Sequence, residues 1–296
     1  LKSITNNLWR RFWYLLQDVS HKGFFHLLSA NFMVGFFGFG TQLLVAKFLS
    51  PKELGQIKTM QSFIGVGTIL AGFGFNIAVL KLCSEKRPLS EKSFIFTKNF
   101  HYTLIPVLTT LLILLTLAKL KLFSPDQTIN KWILLYMLSI PALTYTSLIM
   151  AYLQALKKIQ LMAKMQVFIR LISFVFLVLI TYFYGLPGYI ISTVFIGYVA
   201  LLPLLSLVKK DLLQKEKVKN VFSQSFFFAK WSLLAEAFSA VEQCLDIFLL
   251  NYLIKDRVAF GYYSLATIFI LGMNYITSTV QRIATPYFSE KSRDKK

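Results

Sequence analysis

The chain has 296 residues, of which 56% are hydrophobic and only 15% are charged. A soluble domain of this size would carry about 25% charged residues, and the apolar residues here come in long blocks. The composition therefore excludes an ordinary soluble domain and indicates an all-α polytopic membrane protein. The net charge of +19 would be typical of a nucleic-acid-binding protein, but its distribution along the chain assigns most of it to membrane topology, so no nucleic acid is expected.

Residues 1–22 precede the first apolar block and form a segment of their own. Trp9, Phe12, Trp13 and Leu16 stand there beside basic Arg10 and Arg11. The segment lacks the long apolar core and the small-residue cleavage site of a secretory signal. We therefore expect an interfacial amphipathic segment at 1–22.

About eight transmembrane helices are predicted after this segment, each near the length of about 20 residues that a helix needs to cross the hydrocarbon. Short breaks separate several of them: SPKE at 50–53, a lysine-rich stretch at 119–131 and GLPG at 185–188. The predicted spans are residues 24–49, 54–80, 99–118, 132–155, 167–184, 188–208, 226–253 and 259–284.

Basic residues are distributed unevenly between the two sides that these spans define. With the N-terminal side in the cytoplasm, 24 of the 32 Lys and Arg fall on the inner side, as the positive-inside rule requires. The sequence thus predicts a multi-pass protein of the cytoplasmic (inner) membrane with both ends of the chain cytoplasmic. Part of the inner charge is expected to contact anionic lipid headgroups. The eight outer basic residues are Lys47, Lys52, Lys58, Lys119, Lys121, Lys131, Lys255 and Arg257.

Polar and small side chains follow one face of each of the first two spans, at steps of four, three and four residues. Such a face allows close helix packing, and it equally suits the wall of an aqueous cavity. Together with a third stripe in span seven, the two stripes favour one shared central cavity. The positions are Asn31, Gly35, Gly38 and Gln42 in span one, and Gln61, Gly65, Thr68 and Gly72 in span two, with Asn76 slightly off the face.

Span seven carries three of the 13 acidic residues of the chain. An acid at membrane depth is costly unless it faces a partner or a wet cavity. Glu236, Glu242 and Asp246 are therefore candidates for coupling transport to H⁺ or Na⁺, with Glu242 and Asp246 sharing a proton or a cation. The alternative is that each acid pairs with a fixed basic partner such as Lys58 or Arg282. The polar face of this span comprises Ser232, Glu236, Ser239, Gln243 and Asp246.

The turn between spans one and two reads LLVAKFLSPKELGQ (43–56), and a glycine-rich span end with a basic segment follows, GTILAGFGFNIAVLKLCSEK (67–86). This hairpin resembles that of the polysaccharide-export flippases, the O-antigen transporters of the multidrug/oligosaccharidyl-lipid/polysaccharide superfamily. The stretches at 151–166, 246–269 and 284–291 also resemble that family. An internal repeat, which begins at Gly55 and again at Gly261, is typical of two-lobed transporters.

The resemblance implies a chain organised in two pseudo-symmetric lobes, because that family has two six-helix lobes. A complete N-terminal lobe would occupy 23–208, a basic cytoplasmic connector 209–221, and the first two helices of a second lobe 222–296. The last residues fall where a third helix of the second lobe is expected to follow. We therefore expect a truncated sequence, and a natively eight-span protein that dimerises is the alternative.

The resemblance also implies a flippase that carries a polyprenyl-diphosphate-linked oligosaccharide for surface polysaccharide biosynthesis, by alternating access of the two lobes. Its expected partners are this substrate, membrane lipids, a coupling H⁺ or Na⁺, and other polysaccharide-assembly proteins. No cofactor and no metal are expected. The candidate substrate-cavity residues are Asn31, Gln42, Gln61, Thr68, Asn76, Arg170, Lys230, Asn274 and Arg282.

Other functions stay open beside this one: a lipid II flippase, a cation-coupled drug antiporter of the same superfamily, or a membrane glycan polymerase or ligase. The predicted outer loops are only four to thirteen residues long, which is too short for an active-site domain. The inner loops show no paired-aspartate sugar-nucleotide motif and no phosphate-cradling glycine motif. The sequence therefore favours a transporter over an enzyme.

Overall fold

The computed structural model describes residues 24–213, 220–270 and 272–273, with side chains from residue 32 onward. All regular structure in these ranges is helical, which confirms the predicted all-α class. The interfacial segment 1–22 and residues 214–219 of the connector 209–221 lie outside the described residues. The helices are α1 (Phe24–Phe48), α2 (Pro51–Gly72), α3 (Phe75–Ser84), α4 (Leu89–Tyr102), α5 (Leu104–Lys119), α6 (Gln127–Tyr136), α7 (Ser139–Ala155), α8 (Ile159–Leu212), α9 (Val221–Leu253) and α10 (Arg257–Ile270).

The second predicted span is a helix broken by a bend. It begins at a capping box, in which the Ser50 hydroxyl and the Glu53 carboxylate satisfy each other's backbone N–H groups. α2 and α3 then meet at an angle of 48°, because Phe73 and Gly74 both adopt left-handed backbone with φ of 48° and 72°. A Cβ on Gly74 would lie 2.3 Å from the carbonyl oxygen of Ala229. Glycine therefore allows both the bend and the close approach of α9.

Two other helices of the predicted spans are interrupted. α6 and α7 meet at 46°, within the predicted span 132–155. α8 runs over 54 residues, but its backbone leaves helical geometry at Gly185, with φ of 60° and ψ of −141°. This is the GLPG break, so α8 contains both predicted spans 167–184 and 188–208.

Length and hydropathy identify two described helical stretches that are able to cross a membrane, Leu89–Lys119 and Ile159–Leu212. The number rises to four when each bent pair is counted as one span. Residues Phe32–Phe48 of α1 and all of α10 are apolar but shorter. The fold is thus that of an all-α polytopic membrane protein, while the total of eight spans stays a prediction.

The described helices pack around two apolar clusters, one toward each end of the bundle. The first lies at the connections after α1 and α5 and includes Leu49, Phe123 and Leu186; we call this the Phe123 end. The second lies at the connections after α3 and α7 and includes Cys83 and Leu153; we call this the Cys83 end. The basic-residue distribution predicts that the Phe123 end faces outward.

Helix α9 packs along α2 and α3 and is hydrogen-bonded to the bundle at both ends. At the Phe123 end, the Ser124 hydroxyl donates to Asn251 Oδ1 (2.8 Å), and Asn251 Nδ2 donates to the Phe123 carbonyl (3.0 Å). At the Cys83 end, Asn99 Nδ2 donates to the Ser225 hydroxyl (2.9 Å). Asn251, Asn99 and Ser225 are all 0% exposed, so these bonds satisfy polar groups that water does not reach.

The starts of α2 and α10 also touch each other at the Phe123 end. A Cβ on Gly261 would lie 1.8 Å from the carbonyl oxygen of Pro51, and one on Gly55 would lie 2.8 Å from the Phe260 ring. Gly55 and Gly261 begin the two units of the sequence repeat. Each unit therefore contacts the other near its own start, as a pseudo-twofold arrangement would require.

Replacing Gly261 by Ala is expected to reduce stability by about 2 kcal/mol, because the backbones of α2 and α10 must move apart. Gly65→Ala is the matched control, since nothing lies within 4 Å of the added methyl group and Ala favours a helix. The apparent melting temperature of the purified protein in detergent should fall for Gly261→Ala and hold for Gly65→Ala. Equal melting temperatures for the two variants would contradict the close contact.

Candidate functional site

A polar cavity of about 360 Å³ lies between α2, α3, α7 and α9. Gly65 and Gly72 stand on the α2 side of the cavity. Because glycine has no side chain, these positions leave space beside α9. Apolar groups line the rest of the wall, including Leu148 and Ala240. The polar side chains of the lining are Thr68, Asn76, Thr103, Thr144, Ser147, Glu236, Ser239 and Gln243.

Glu236 is the acidic residue of this lining and is half-buried. Its Oε1 accepts a hydrogen bond from Asn76 Nδ2 at 3.4 Å, a distance at which the bond is weak. Two lining atoms, Asn76 Oδ1 and Thr144 Oγ1, are buried without a hydrogen-bond partner. Unpaired buried polar atoms cost free energy. The arrangement is therefore suited to holding water or a polar ligand.

The structure brings Thr68, Asn76, Glu236 and Gln243 into this cavity, but it places the two glutamines nearer the Phe123 end elsewhere. Gln61 Nε2 donates to the Tyr189 hydroxyl at 2.6 Å, and Gln42 hydrogen-bonds to the same tyrosine. Tyr189 is 2% exposed. Gln42 and Gln61 thus lie outside the lining of this cavity and satisfy a buried hydroxyl inside the bundle, and one cavity shared by spans one, two and seven stays a prediction. The side chains of Asn31, Asn274 and Arg282 lie outside the described part.

The three acids of α9 occupy different environments. Asp246 accepts a hydrogen bond from the Tyr263 hydroxyl of α10 and is close enough to Lys58 of α2 for their charges to attract. Glu242 is exposed, and no described residue hydrogen-bonds to it. Asp246 thus has a hydrogen-bond donor from α10, whereas Glu242 lies at an exposed position of the same helix. The shared proton and the fixed basic partner both stay predictions.

The described cationic candidates lie outside the cavity. Arg170 and Lys230 are both exposed, and the Lys230 ammonium is 5.4 Å from the ring centroids of Phe227 and Trp231. Such stacking is typical of a basic side chain held among aromatic rings at a membrane surface. Because no described Lys or Arg lines the cavity, the polar chemistry of its described lining consists of one carboxylate, amides and hydroxyls. Among the described residues, no group of His, Cys, Asp or Glu could hold a metal ion.

The fold and this cavity define a class, an all-α polytopic membrane protein with a polar internal site. The chain belongs to the polysaccharide biosynthesis protein family, whose model matches residues 20–292. This match confirms the resemblance drawn from the hairpin at 43–86. No match was found among curated proteins or among solved structures.

Sequence reasoning missed Thr144 and Asn251. Thr144 stands in an apolar stretch of α7 without polar periodicity, so no signal marked it as a cavity residue. Asn251 had a signal, since it is a lone amide within the apolar end of span seven, FLLNYL. A lone amide at that depth needs a partner, but only the structure identifies Ser124 as that partner.

Near Asn251, the connection between α5 and α6 contains a second polar network. Asp126 caps α6: its Oδ1 accepts from the Thr128 N–H (2.8 Å) and its Oδ2 from Gln56 Nε2 (2.7 Å). Partial burial by itself would raise the pKa of Asp126. The hydrogen bonds from Gln56 and Thr128 and the charge of Lys52 outweigh it, so the pKa lies below the ordinary 3.8.

Asp126→Asn tests this network through its pH dependence. Because folding lowers the pKa of Asp126, the ionised carboxylate stabilises the fold above the unfolded pKa, and the effect is lost as pH falls through the folded pKa. The variant is expected to be less stable by about 1 kcal/mol near neutral pH. Apparent melting temperatures measured from neutral pH to below 3.8 should converge for the two proteins. A difference that stays constant would show that the charge of Asp126 contributes nothing.

Proposed function

We propose that the protein is a flippase that moves a polyprenyl-diphosphate-linked oligosaccharide across the cytoplasmic membrane for surface polysaccharide assembly. Family membership supports the pathway. The observation that carries the mechanism is the polar cavity between apolar helices. On this proposal the protein is a transporter and not an enzyme, and its partners are the lipid-linked substrate, membrane lipids and other assembly proteins.

The polar groups of the cavity suit the hydroxyl groups of a sugar. The Thr144 hydroxyl can both donate and accept hydrogen bonds. The Thr68 hydroxyl, which donates to the Ile64 carbonyl, can accept one, and Gln243, whose amide nitrogen donates to the Ser239 hydroxyl, offers its amide oxygen as an acceptor. Asn76 Oδ1 and Thr144 Oγ1, which are unpaired, would gain partners from such a ligand. A volume of about 360 Å³ lies within the range of small-molecule sites, so the cavity would hold a small part of the oligosaccharide at a time.

The diphosphate and the lipid tail need other surroundings. Since no basic side chain in the described part of the chain lines the cavity, the diphosphate is expected to stay near the lysines of the Cys83 end, such as Lys98 and Lys230. The opposite flank of α9 exposes large apolar side chains, among them Phe238 at 76% and Leu245 at 49%. This flank offers the polyprenyl chain a path along the outside of the helix.

Alternating access would open the cavity at one end at a time. The contacts to be broken are the Ser124–Asn251 bond at the Phe123 end and the Asn99–Ser225 bond at the Cys83 end. Both join residues of the proposed first lobe, 23–208, to residues of the proposed second lobe, 222–296. Each lobe contributes one partner to each contact. Rotation of one lobe relative to the other would therefore break the contact at one end while the contact at the other end forms.

Among the acids, we assign ion coupling by H⁺ or Na⁺ to Glu236. It is the one whose carboxylate lines the cavity, beside the unpaired Asn76 Oδ1. Asp246 is assigned a structural role, because the Tyr263 hydroxyl of α10 already donates a hydrogen bond to it. Glu242 is exposed on the far side of α9 and receives no role in coupling.

Transport in proteoliposomes tests the assignment with a matched pair of variants. Glu236→Gln and Glu242→Gln are the same chemical change on the same helix, one inside the cavity and one outside it. With a fluorescent polyprenyl-diphosphate oligosaccharide, Glu236→Gln should slow ion-driven translocation at least tenfold, and Glu242→Gln should stay near wild type. Equal rates for the two variants would remove Glu236 from the mechanism. Preference for lipid II or for a cationic drug would instead identify a different transporter of the superfamily.

Orientation is tested by labelling exposed single cysteines from outside the cell. With Cys83 and Cys244 replaced by Ser, a cysteine at Gln127 should react with a membrane-impermeant maleimide, and one at Lys86 should not. Both positions are exposed in the structure, whereas Ser124 in the same connection is 3% exposed and would not report. Labelling at Lys86 without labelling at Gln127 would reverse the proposed orientation.

A further inference from the structure

A second groove, of about 640 Å³, lies at the Phe123 end beside the connection between α5 and α6. It is separate from the polar cavity and shares no lining residue with it. Its lining combines basic, amide and apolar groups where α5 ends and α6 begins. The lining residues are Ala118, Lys119, Lys121, Gln127, Thr128, Asn130, Lys131, Trp132 and Leu134.

The groove is strongly cationic. Lys119, Lys121 and Lys131 line it, and no carboxylate of the residues that the structure describes does. The nearest acid in sequence, Asp126, already accepts hydrogen bonds from Gln56 and Thr128. The predicted topology places only eight basic residues on this side of the membrane. Three of these eight line this one groove. This concentration of lysines indicates a binding site for a negatively charged group.

Lys121 also has an uncommon backbone conformation. Lys121 has a left-handed φ of 55° and follows the last turn of α5, where its N–H donates to the Ala118 carbonyl. Glycine is the usual residue at such a helix end, because a side chain there costs about 1 kcal/mol. At Lys121 this position holds a lysine, and its side chain lines the groove.

The other lining groups fit a ligand with a phosphate and hydroxyls at a membrane boundary. Trp132 is half-buried and has the Lys131 ammonium 5.4 Å from its ring centroid; tryptophan is typical of the headgroup level of a bilayer. Asn130 Nδ2 donates to the Ser124 carbonyl, while Asn130 Oδ1 is buried without a partner. That free acceptor suits a ligand hydroxyl.

We propose that this groove binds a lipid-borne phosphate in the leaflet at the Phe123 end. The three ammonium groups contact the phosphate, Asn130 and Gln127 contact neighbouring hydroxyl groups, and Trp132 packs on the start of the lipid tail. An anionic phospholipid and the polyprenyl diphosphate of a lipid-linked glycan share this chemistry. The site stands whether or not the protein is a flippase.

Fluorescence of Trp132 reports on the groove directly. In a variant with Trp9, Trp13 and Trp231 replaced by Phe, Trp132 is the only tryptophan left of four. Phosphatidylglycerol brominated near its headgroup, titrated into phosphatidylcholine nanodiscs, should quench Trp132 at low mole fraction. Brominated phosphatidylcholine should quench only in proportion to its abundance.

Lys121→Gly removes the charge without reducing the stability of the fold, since glycine adopts the left-handed backbone without strain. It should raise the mole fraction for half-quenching about fivefold, the effect expected of one basic residue near an anionic surface. Lys157→Gly is the matched control: Lys157 has the same left-handed backbone, with φ of 58°, but follows α7 at the Cys83 end. Lys119→Gln/Lys131→Gln is a second variant that should weaken quenching further than Lys121→Gly alone.

The competitors decide the source of the phosphate. Displacement of the brominated lipid by polyprenyl diphosphate at lower mole fraction than by phosphatidylglycerol identifies the glycan carrier as the preferred occupant; the reverse order identifies the phospholipid. Either result supports the site. Equal quenching in the Lys121→Gly and Lys157→Gly variants, no preference for the anionic lipid, or full displacement by inorganic phosphate would overturn it.

Discussion

The structure depends on one constraint: α9 carries three acidic residues on a largely apolar helix, and in the proposed topology its polar face has to be kept away from hydrocarbon. A carboxylate there is tolerated only beside polar partners or water. The bend between α2 and α3 meets this need, because Gly74 lets the broken helix approach α9 at Ala229 and places Asn76 against Glu236. The glycines of α2 then leave room beside the carboxylate, and the result is a cavity and not a closed interface.

Buried neutral hydrogen bonds hold α9 on either side of that cavity. Asn251 with Ser124 and Asn99 with Ser225 lie at opposite ends of the bundle. A hydrogen bond of this kind contributes about 1 kcal/mol net, far less than a buried ion pair costs to break. Such contacts are specific enough to set the register of α9 and weak enough to be exchanged during transport.

Periodicity in the sequence identified the faces but not their partners. Thr68, Asn76, Glu236 and Gln243 were predicted to line a cavity, and they lie together because a polar residue on an apolar helix must turn inward. Gln42 and Gln61 also turn inward, where both hydrogen-bond to the buried Tyr189 hydroxyl. The sequence around Tyr189 does not show that this hydroxyl needs a partner. The hydrogen bond from Tyr263 to Asp246 likewise depends on how α10 meets α9, which helical spacing does not determine. The all-α class followed from composition alone.

The central claim is that the lipid-linked glycan passes through the cavity beside α9. Cys244 lines that cavity, while Cys83 is 0% exposed, so thiol modification tests the claim in the protein almost as it stands. In proteoliposomes of the Cys83→Ser variant, methanethiosulfonate reagents of increasing size should block translocation progressively. A reducing agent should restore it, substrate should protect against it, and Cys244→Ser should be insensitive. Full transport after complete modification of Cys244 would contradict the account.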